Sequence, residues 1–360
     1  MIPTEFDIAV VGSTPLAMLL AGLLAGQHRR RVIHVGEKQS GLRLPRGFDL
    51  SSGALTRPET WALLEHTTPE TLRTISKAAG RESWSRANPL FLSEEPAGVE
   101  ALAHIRHVAQ DFGHEVEPVP LSRLRGGQQG WTLRDVAVLH RPALQAGLAG
   151  WVAAQGVTYL EASQTHVSLD GDGGGTLWSD EWQARATHLV LADDEAILGN
   201  VPPAELASFA VLRPRATLLL RALPQLAAPL VLQLDRDMVV VQTPGGGVSA
   251  VGDGGVDELA PALRHVTGPQ AGWVQVGQAR YHAVAAPDGA PLLGRINPTA
   301  PTVIAGLGTT GAFLAPALAR WLARAPRPHE QDWIEARSPG RTMPDSTVAE
   351  FGALPLETVL

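Results

Sequence analysis

Two short glycine-containing segments each stand between a strand-like apolar run and a helix-forming run. They are Gly12-Ser13-Thr14, near the start of the chain, and Gly308-Thr309-Thr310-Gly311, near its end. In such a turn the free N–H groups and the dipole of the following helix attract a phosphate or another negative charge. Each segment is therefore a candidate anion-binding site.

The first segment matches a dinucleotide-binding fingerprint only in part. In the G-x-G-x-x-G register the chain has Gly12, Thr14 and Ala17, so threonine replaces the glycine that lets the backbone approach a pyrophosphate. Gly36 stands where an acid normally holds the ribose hydroxyls, and Glu37 comes one position later. The pattern alone leaves two interpretations open, a dinucleotide site and a plain βαβ core that uses the same turn.

The elements that would position this turn are clear from composition. Asp7–Val11 and Arg31–Val35 have strand composition, and Leu16–Ala25 between them favours a helix, which makes a βαβ unit. The apolar run over residues 8–26 also approaches the length of a membrane span. Acidic residues precede it and the glycine turn interrupts it, so we expect a buried strand and helix, with no membrane span and no signal peptide.

Composition limits the function classes. The 360 residues are 44% hydrophobic, enough for one large core or two moderate ones, and the formal net charge is −7. Without a basic face, we expect no nucleic-acid partner. The absence of cysteine excludes disulfides, thiol chemistry, iron–sulfur ligation and a cysteinyl-flavin link. His104 and His107 lie one helical turn apart but lack a third ligand, so no metal site is expected. We expect a globular cytoplasmic protein.

The remaining chain alternates between two kinds of structure. Residues 136–192 and 302–324 return to apolar strands and helices, whereas 205–286 shows strands with glycine turns that are typical of an antiparallel sheet. Residues 84–131 read as short pieces of a second layer, with a glycine-rich turn at 126–130. We therefore predict a discontinuous first domain over 1–83, 135–204 and 287–326, a second domain over 84–134 and 205–286, and a tail over 327–360 that packs loosely or against a partner.

Four stretches together carry a family resemblance over about residues 5–325. They are the βαβ start at 7–37; LHRPALQAGLAGWVAAQGVTYLEASQTHV at 139–167; LRPRATLLLR with MVVVQTPGGGVSAVGD between 212 and 253; and APDGAPLLGRI with VIAGLGTTGAFLAPALARWLA at 286–323. The chain resembles the FAD-dependent oxidoreductases of the D-amino-acid oxidase, glycine oxidase and sarcosine oxidase type. This resemblance implies an α/β fold with a discontinuous Rossmann-like FAD-binding domain and an antiparallel-sheet substrate domain.

The resemblance also implies the site residues. FAD would place its pyrophosphate at Gly12, Ser13, Thr14 and Ala17 and its ring at Gly308, Thr309, Thr310 and Gly311; Glu37, Val167 and Ala192 complete the cofactor set. The substrate carboxylate would meet an arginine shortly before the P-D-G run, so Arg280, Tyr281 and His282 are the catalytic candidates. Arg213 and Arg215 are second candidates, with a charge pair at the sheet edge as their alternative explanation.

Two departures from the family pattern concern the cofactor. Leu307 stands where a histidine is often found in the last glycine loop, and Ala192-Asp193-Asp194 replaces a small-residue segment. Acids at this position are expected near the phosphates or ribose of FAD. They either replace the missing ribose acid or weaken FAD binding.

Three functions therefore follow from the sequence. The first is an FAD-dependent oxidase or dehydrogenase that takes hydride from the C–N bond of an amine or amino acid. The second is a degenerate, non-catalytic flavoprotein-like subunit, or a maturation or assembly partner of a larger complex. The third, a flavin monooxygenase, is less favoured because Gly252-Asp253-Gly254 follows a strand and does not open a helix.

Overall fold

The computed structural model describes residues 4–120, 124, 126–221, 226, 228–243, 245–267, 273–342 and 349–350. Within these ranges the strands are β1 (Glu5–Val11), β2 (Val32–Gly36), β3 (Trp84–Ala87), β4 (Leu90–Ser93), β5 (Val116–Pro118), β6 (Gln129–Leu133), β7 (Val136–Leu139), β8 (Thr158–Glu161), β9 (His166–Leu169), β10 (Gly175–Trp178), β11 (Gln183–Leu191), β12 (Val211–Arg221), β13 (Leu230–Gln233), β14 (Met238–Gln242), β15 (Val248–Asp253), β16 (Val274–Ala285), β17 (Leu292–Arg295) and β18 (Thr302–Ala305). The helices are α1 (Pro15–Gly26), α2 (Pro58–Ala79), α3 (Pro96–Asp111), α4 (Arg141–Ala154), α5 (Asp194–Asn200), α6 (Pro203–Leu206), α7 (Val256–Thr267), α8 (Gly311–Leu322) and α9 (Pro328–Glu335).

Two large sheets organise the chain. The first, which we call the parallel sheet, has the order β17-β18-β11-β1-β2-β8, and β9 and β10 extend it as a meander from β11. Its pairs β1–β2, β1–β11, β2–β8 and β11–β18 are parallel. The second, the antiparallel sheet, has the order β16-β12-β15-β14-β13-β4-β6-β5, and only its β4–β13 pair is parallel. The predicted α/β fold with a parallel and an antiparallel part is confirmed.

The chain passes back and forth between the sheets. The parallel sheet takes strands from 5–36, 158–191 and 292–305, and the antiparallel sheet takes strands from 90–133 and 211–285. The strands of these two sheets lie on different sides of the predicted domain division, but β3, from the predicted second domain, pairs with β7, from the predicted first domain, in a separate two-stranded sheet. The domain division stays a prediction.

Helix α1 is buried on all sides, which explains its almost uniformly apolar sequence. Thr14 caps it by accepting a hydrogen bond from the Ala17 N–H, and Pro15 supplies a first position that needs no donor. The helix packs between the parallel sheet and helices α4 and α8. A Cβ at Gly22 would lie 2.2 Å from the Trp151 ring, so glycine is required for α1 to approach α4 this closely. Among the described helices, none is long and apolar enough to cross a bilayer.

The structure differs from the sequence analysis at three places. Residues 129–133 form β6, although a glycine-rich turn was predicted over 126–130. The twelve-residue strand β16 was not predicted, because its polar residues alternate with small ones and it has no continuous apolar run. Loose packing of the tail is wrong for its described part: Trp333 of α9 is buried, and buried Arg337 forms an ion pair with buried Glu350 (Nη2–Oε1 2.7 Å). Residues 343–348 and 351–360 lie outside the described residues.

Glu350 connects this tail to α2. Its Oε1 accepts a 2.5 Å hydrogen bond from the Thr60 hydroxyl, and its backbone carbonyl accepts one from the Thr56 N–H. Buried charges are retained only when they are paired and hydrogen-bonded, a condition that Arg337 and Thr60 satisfy here. The end of the described chain is thus part of the core.

His188 provides a test of the parallel sheet. Its Nε2 lies 2.7 Å from the Thr302 hydroxyl, across the β11–β18 pair, and burial together with the charge of Arg295 lowers the pKa of His188 to about 4. Because the unfolded chain binds a proton near pH 6.5 and the folded chain does not, folding stability falls as the pH drops from 6.5 to 4. His188→Gln keeps a donor at the same place but does not titrate. Over this pH range we expect its free energy of unfolding to fall by up to about 3 kcal/mol less than that of the wild type.

Urea unfolding followed by circular dichroism at several pH values measures the effect. His282→Gln, at an exposed position, is the matched control. Parallel pH profiles for wild type and His188→Gln would contradict the assignment.

Candidate active site

The turn after β1 is held tightly against the end of β2. Gly12, at φ 154°, accepts a hydrogen bond at its carbonyl oxygen from Nε2 of buried His34 (2.9 Å), and its N–H donates to the Val35 carbonyl (2.9 Å). Burial lowers the pKa of His34, so the ring is neutral and Nε2 carries its proton as the donor. A Cβ at Gly36 would lie 2.7 Å from the Gly12 carbonyl oxygen. Gly36 is therefore required by the close approach of two backbones, although it stands at the position of the expected acid.

Glu37 takes a position beside this turn. Its N–H donates to the Ser13 hydroxyl (3.0 Å), and its carboxylate pairs with Arg43 (2.6 Å). Burial raises the pKa of Glu37, against the opposing effect of Arg43. Glu37 thus lines the cavity next to the α1 N-terminus, as the sequence predicts for a residue that holds a ribose.

Asp193 occupies part of the α1 N-terminus. Its Oδ2 accepts a 2.6 Å hydrogen bond from the Ser13 N–H, and its Oδ1 caps α5 by accepting a 2.8 Å bond from the Ala196 N–H. Burial is the main cause that raises the pKa of Asp193. The neighbouring Asp194 accepts a bond from the Val284 N–H (3.2 Å), and burial raises its pKa to about 6.

The second glycine segment follows β18. Gly306 and Gly308 have φ values of 71° and 53°, and the buried Thr310 hydroxyl donates to the Leu307 carbonyl. Helix α8 begins at Gly311, and within the described residues no hydrogen bond uses the N–H groups of Gly311 and Ala312. The N-terminus of α8 therefore offers free donors beside the cavity.

Two adjoining cavities connect these turns. The first, which we call the turn cavity, has about 210 Å³ and lies against the starts of α1 and α8. The second, the sheet cavity, has about 200 Å³ and lies over the antiparallel sheet. The two cavities share seven lining residues: Arg46, Gly47, Phe48, Asp194, Gly306, Leu307 and Gly308. One space therefore extends from the α1 N-terminus past the second glycine segment to the antiparallel sheet.

Arg215 is the central charge of the sheet cavity. Its side chain is 17% exposed, and its Nη1 pairs with Asp237 (2.6 Å) and with Asp253 (3.4 Å). Burial alone would lower the pKa of Arg215, but the two carboxylates raise it, so it stays charged. Burial and repulsion by Asp237 raise the pKa of Asp253 to about 6, although Arg213 also binds this carboxylate. Arg215 Nε is buried and has no hydrogen-bond partner in the described part of the chain.

The structure separates the three catalytic candidates. Tyr281 lines the sheet cavity and donates a hydrogen bond to the Arg46 carbonyl (2.7 Å). Side chains alternate along a strand, so Arg280 and His282 lie on the opposite face of β16 and are exposed. Arg280 pairs there with exposed Asp257 at 3.4 Å. The structure does not bring Arg280 or His282 to the cavity, whereas the second candidates Arg213 and Arg215 line it.

The structure brings only some of the predicted cofactor-binding residues to the cavities. Ser13, Thr14, Glu37, Ala192, Gly308 and Gly311 line the turn cavity, and Thr309 lines the sheet cavity. Ala17 lies buried beneath Gly12, and Thr310 points into the core. Val167 lies in β9 and packs against the core on the other side of the parallel sheet, away from both cavities. Among the described residues, no group of three or more histidine or acidic side chains is arranged to hold a metal ion.

Sequence reasoning missed Asp237 and the role of Asp253 as a partner. The available signal was the register of two strands, because Arg215 stands directly opposite Asp253 in the β12–β15 pair. Asp237 follows a short turn, and its own backbone lies in the left-handed region (φ 42°). Asp tolerates this conformation better than most residues. Opposite charges on facing strands are a pattern that a correct strand alignment would have revealed.

Solved structures share this fold across nearly the whole chain. L-proline dehydrogenase from P. horikoshii is 15% identical, with a TM-score of 0.73 and coverage of 94% of this chain and 98% of the other. Glycine oxidase from Geobacillus kaustophilus is 18% identical (TM-score 0.64; 96% and 98%), and L-amino acid deaminase from Proteus vulgaris is 14% identical (TM-score 0.69; 95% and 98%). No family model and no curated protein sequence matches the chain. The predicted resemblance is therefore confirmed at the level of the fold.

Gly36→Ala tests the turn. Because the new methyl group would meet the Gly12 carbonyl at 2.7 Å, either β2 or the turn must shift. We expect a loss of about 1–3 kcal/mol in the free energy of unfolding, as overpacking typically costs. Gly199→Ala is the control, since nothing lies within 4 Å of its added Cβ. Chemical denaturation measures the free energy of unfolding of both variants. An unchanged value for Gly36→Ala would show that the turn can accommodate the added methyl group.

Proposed function

We propose that the chain is an FAD-dependent oxidoreductase that oxidises the C–N bond of an amino acid. The observation that carries this proposal is the continuous space from the α1 N-terminus, past the free N–H groups of α8, to Arg215. FAD, when bound, supplies the group that accepts a hydride. The names of the proteins that share the fold, a proline dehydrogenase, a glycine oxidase and an amino acid deaminase, support the same reaction class.

The turn cavity offers hydrogen-bond donors that suit FAD. Ser13 and Thr14 of the turn line the cavity, and so does Glu37, which is the proposed ribose ligand. The N–H groups of Gly311 and Ala312, together with the α8 dipole, would stabilise negative charge that develops on a flavin ring. The contact of Asp193 with the Ser13 N–H opposes a pyrophosphate at the α1 N-terminus.

Arg215 is the proposed anchor for the substrate carboxylate. Its buried Nε is the donor without a partner, and burial of an unsatisfied donor is costly unless a ligand satisfies it. Arg215 and Arg213 are balanced in charge by Asp237 and Asp253, so the site offers a substrate carboxylate the Nε donor of Arg215 and no surplus positive charge.

The walls of the sheet cavity suggest the kind of side chain. Leu232, Met238, Val239 and Val251 are apolar, and the volume is about 200 Å³. The proposed substrate is therefore a compact amino or imino acid with one carboxylate and an apolar side chain.

One alternative retains a specific argument. Asp193 on the Ser13 N–H favours a non-catalytic flavoprotein-like subunit that has lost tight FAD binding. The monooxygenase alternative has no such support, because Asp253 ends β15 and its carboxylate binds Arg213 in the antiparallel sheet. A partner subunit, an amino-acid substrate and a cytoplasmic location remain parts of the proposal.

The absorption spectrum of the purified protein separates the alternatives. We expect flavin bands, near-stoichiometric FAD after reconstitution, and bleaching of these bands under anaerobic conditions by an apolar amino acid. A second run with a dye as electron acceptor then measures turnover. A colourless protein that binds no added FAD would refute the enzyme and favour the subunit.

Arg215→Lys tests the carboxylate anchor. Lysine keeps the positive charge between Asp237 and Asp253 but removes the Nε donor, and loss of a hydrogen bond to a charged group costs about 1.5–3 kcal/mol. We expect KM for an amino acid to rise about tenfold or more, with little change for the corresponding amine without a carboxylate. Steady-state kinetics on both substrates measures the difference.

Arg221→Lys, exposed at the end of the same strand, is the matched control. If KM for the amino acid rises in Arg280→Lys and is unchanged in Arg215→Lys, Arg280 and not Arg215 binds the substrate carboxylate.

A further inference from the structure

Asp193 makes a contact for which the proposed reaction has no use. Its carboxylate binds the Ser13 N–H at 2.6 Å and at the same time caps α5 through the Ala196 N–H. A serine, threonine or asparagine would cap this helix equally well without a charge. The second contact, with the Ser13 N–H, is the one that capping of α5 does not explain.

We infer that Asp193 is an internal competitor for the FAD pyrophosphate, which binds fully only when this carboxylate releases the Ser13 N–H. The inference rests on the proposed function, because it concerns the same cofactor site. It makes Asp193 the residue that sets cofactor affinity in this chain.

The donors of the α1 N-terminus support this inference. Pro15 has no N–H, the Ala17 N–H donates to the Thr14 hydroxyl, and the Ser13 N–H donates to Asp193. In the described part of the chain, the N–H groups of Thr14 and Leu16 make no hydrogen bond. A helix N-terminus binds a phosphate through several such donors, so the donor held by Asp193 is a substantial part of the site.

The charges around the turn cavity support it independently. Each arginine of the lining is paired with an acid: Arg43 with Glu37, Arg46 with Glu195, and Arg141 with Asp49.

The two remaining acids of that lining are Asp193 and Asp194. Among the described residues neither forms an ion pair, and burial raises the pKa of both carboxyls. A dianionic pyrophosphate would thus enter a site that already carries unpaired negative charge. Removal of the carboxylate in contact with the α1 donors should relieve most of this conflict.

Asp193→Asn is the test, with binding measured by isothermal titration calorimetry of the flavin-free full-length protein. The probes are FAD, ADP and riboflavin, so that the pyrophosphate is present in the first two only. We expect Kd for FAD and ADP to fall by about tenfold to a hundredfold, the usual range for a hydrogen bond to a charged group, and Kd for riboflavin to stay unchanged.

Asp194→Asn is the matched control, because it removes a neighbouring buried charge that contacts the Val284 N–H and not Ser13. It should improve FAD binding much less. Asp193→Ser, which keeps a good helix cap, serves if the asparagine variant does not fold.

The outcomes separate this inference from the proposed function. If the wild type binds FAD and neither Asp193 variant binds it more tightly, the inference fails and the function stands. Equal gains in Asp193→Asn and Asp194→Asn, or a gain for riboflavin, would also overturn it. If the wild type and all variants bind neither FAD nor ADP, both proposals fail together.

Discussion

The contact between the end of β2 and the turn after β1 is the constraint on which the site depends. The Gly12 carbonyl lies where a side chain at Gly36 would be, and buried His34 donates a hydrogen bond to the same carbonyl. This contact fixes the turn at the carboxyl edge of the parallel sheet, where open α/β folds bind their ligands. A glycine at 36 is thus a structural need, and the first acid after β2 is Glu37, which lines the turn cavity.

Three hydrogen bonds join the antiparallel sheet to the loop after β2 and to the start of α5. The Thr217 hydroxyl donates to the Pro45 carbonyl (2.6 Å), Tyr281 donates to the Arg46 carbonyl, and Asp194 accepts from the Val284 N–H. The loop after β2 is therefore held by the antiparallel sheet, although it belongs to the parallel one by sequence. Because buried polar groups are costly when unpaired, these bonds make the relative position of the sheets specific.

The sequence was sufficient for the parts of the fold that have strong local patterns. The βαβ start, β18 and α8 were predictable because long apolar runs, glycine turns and a proline at a helix start act locally. The face of β16 was not, since whether Arg280 or Tyr281 points inward depends on pairing with β12, a contact between distant residues. For the same reason Arg215 and Asp253 were separate observations in the sequence and became one charge cluster only in the sheet. The acids at 193 and 194 were visible as a departure, but only the structure shows which donor each one binds.

The interleaved order of the strands has a consequence for the newly made chain on the ribosome. Thr60 can form its hydrogen bond with Glu350 only after 290 more residues have been made. In the same way, the second edge of β1 can pair only after β11 has been made. At ordinary rates of translation the first wait is about 15–60 s. Until α8 has been made, the apolar surface of α1 lacks one of the two helices that cover it. The newly made N-terminal segment therefore exposes apolar surface until the last part of the described chain has been made.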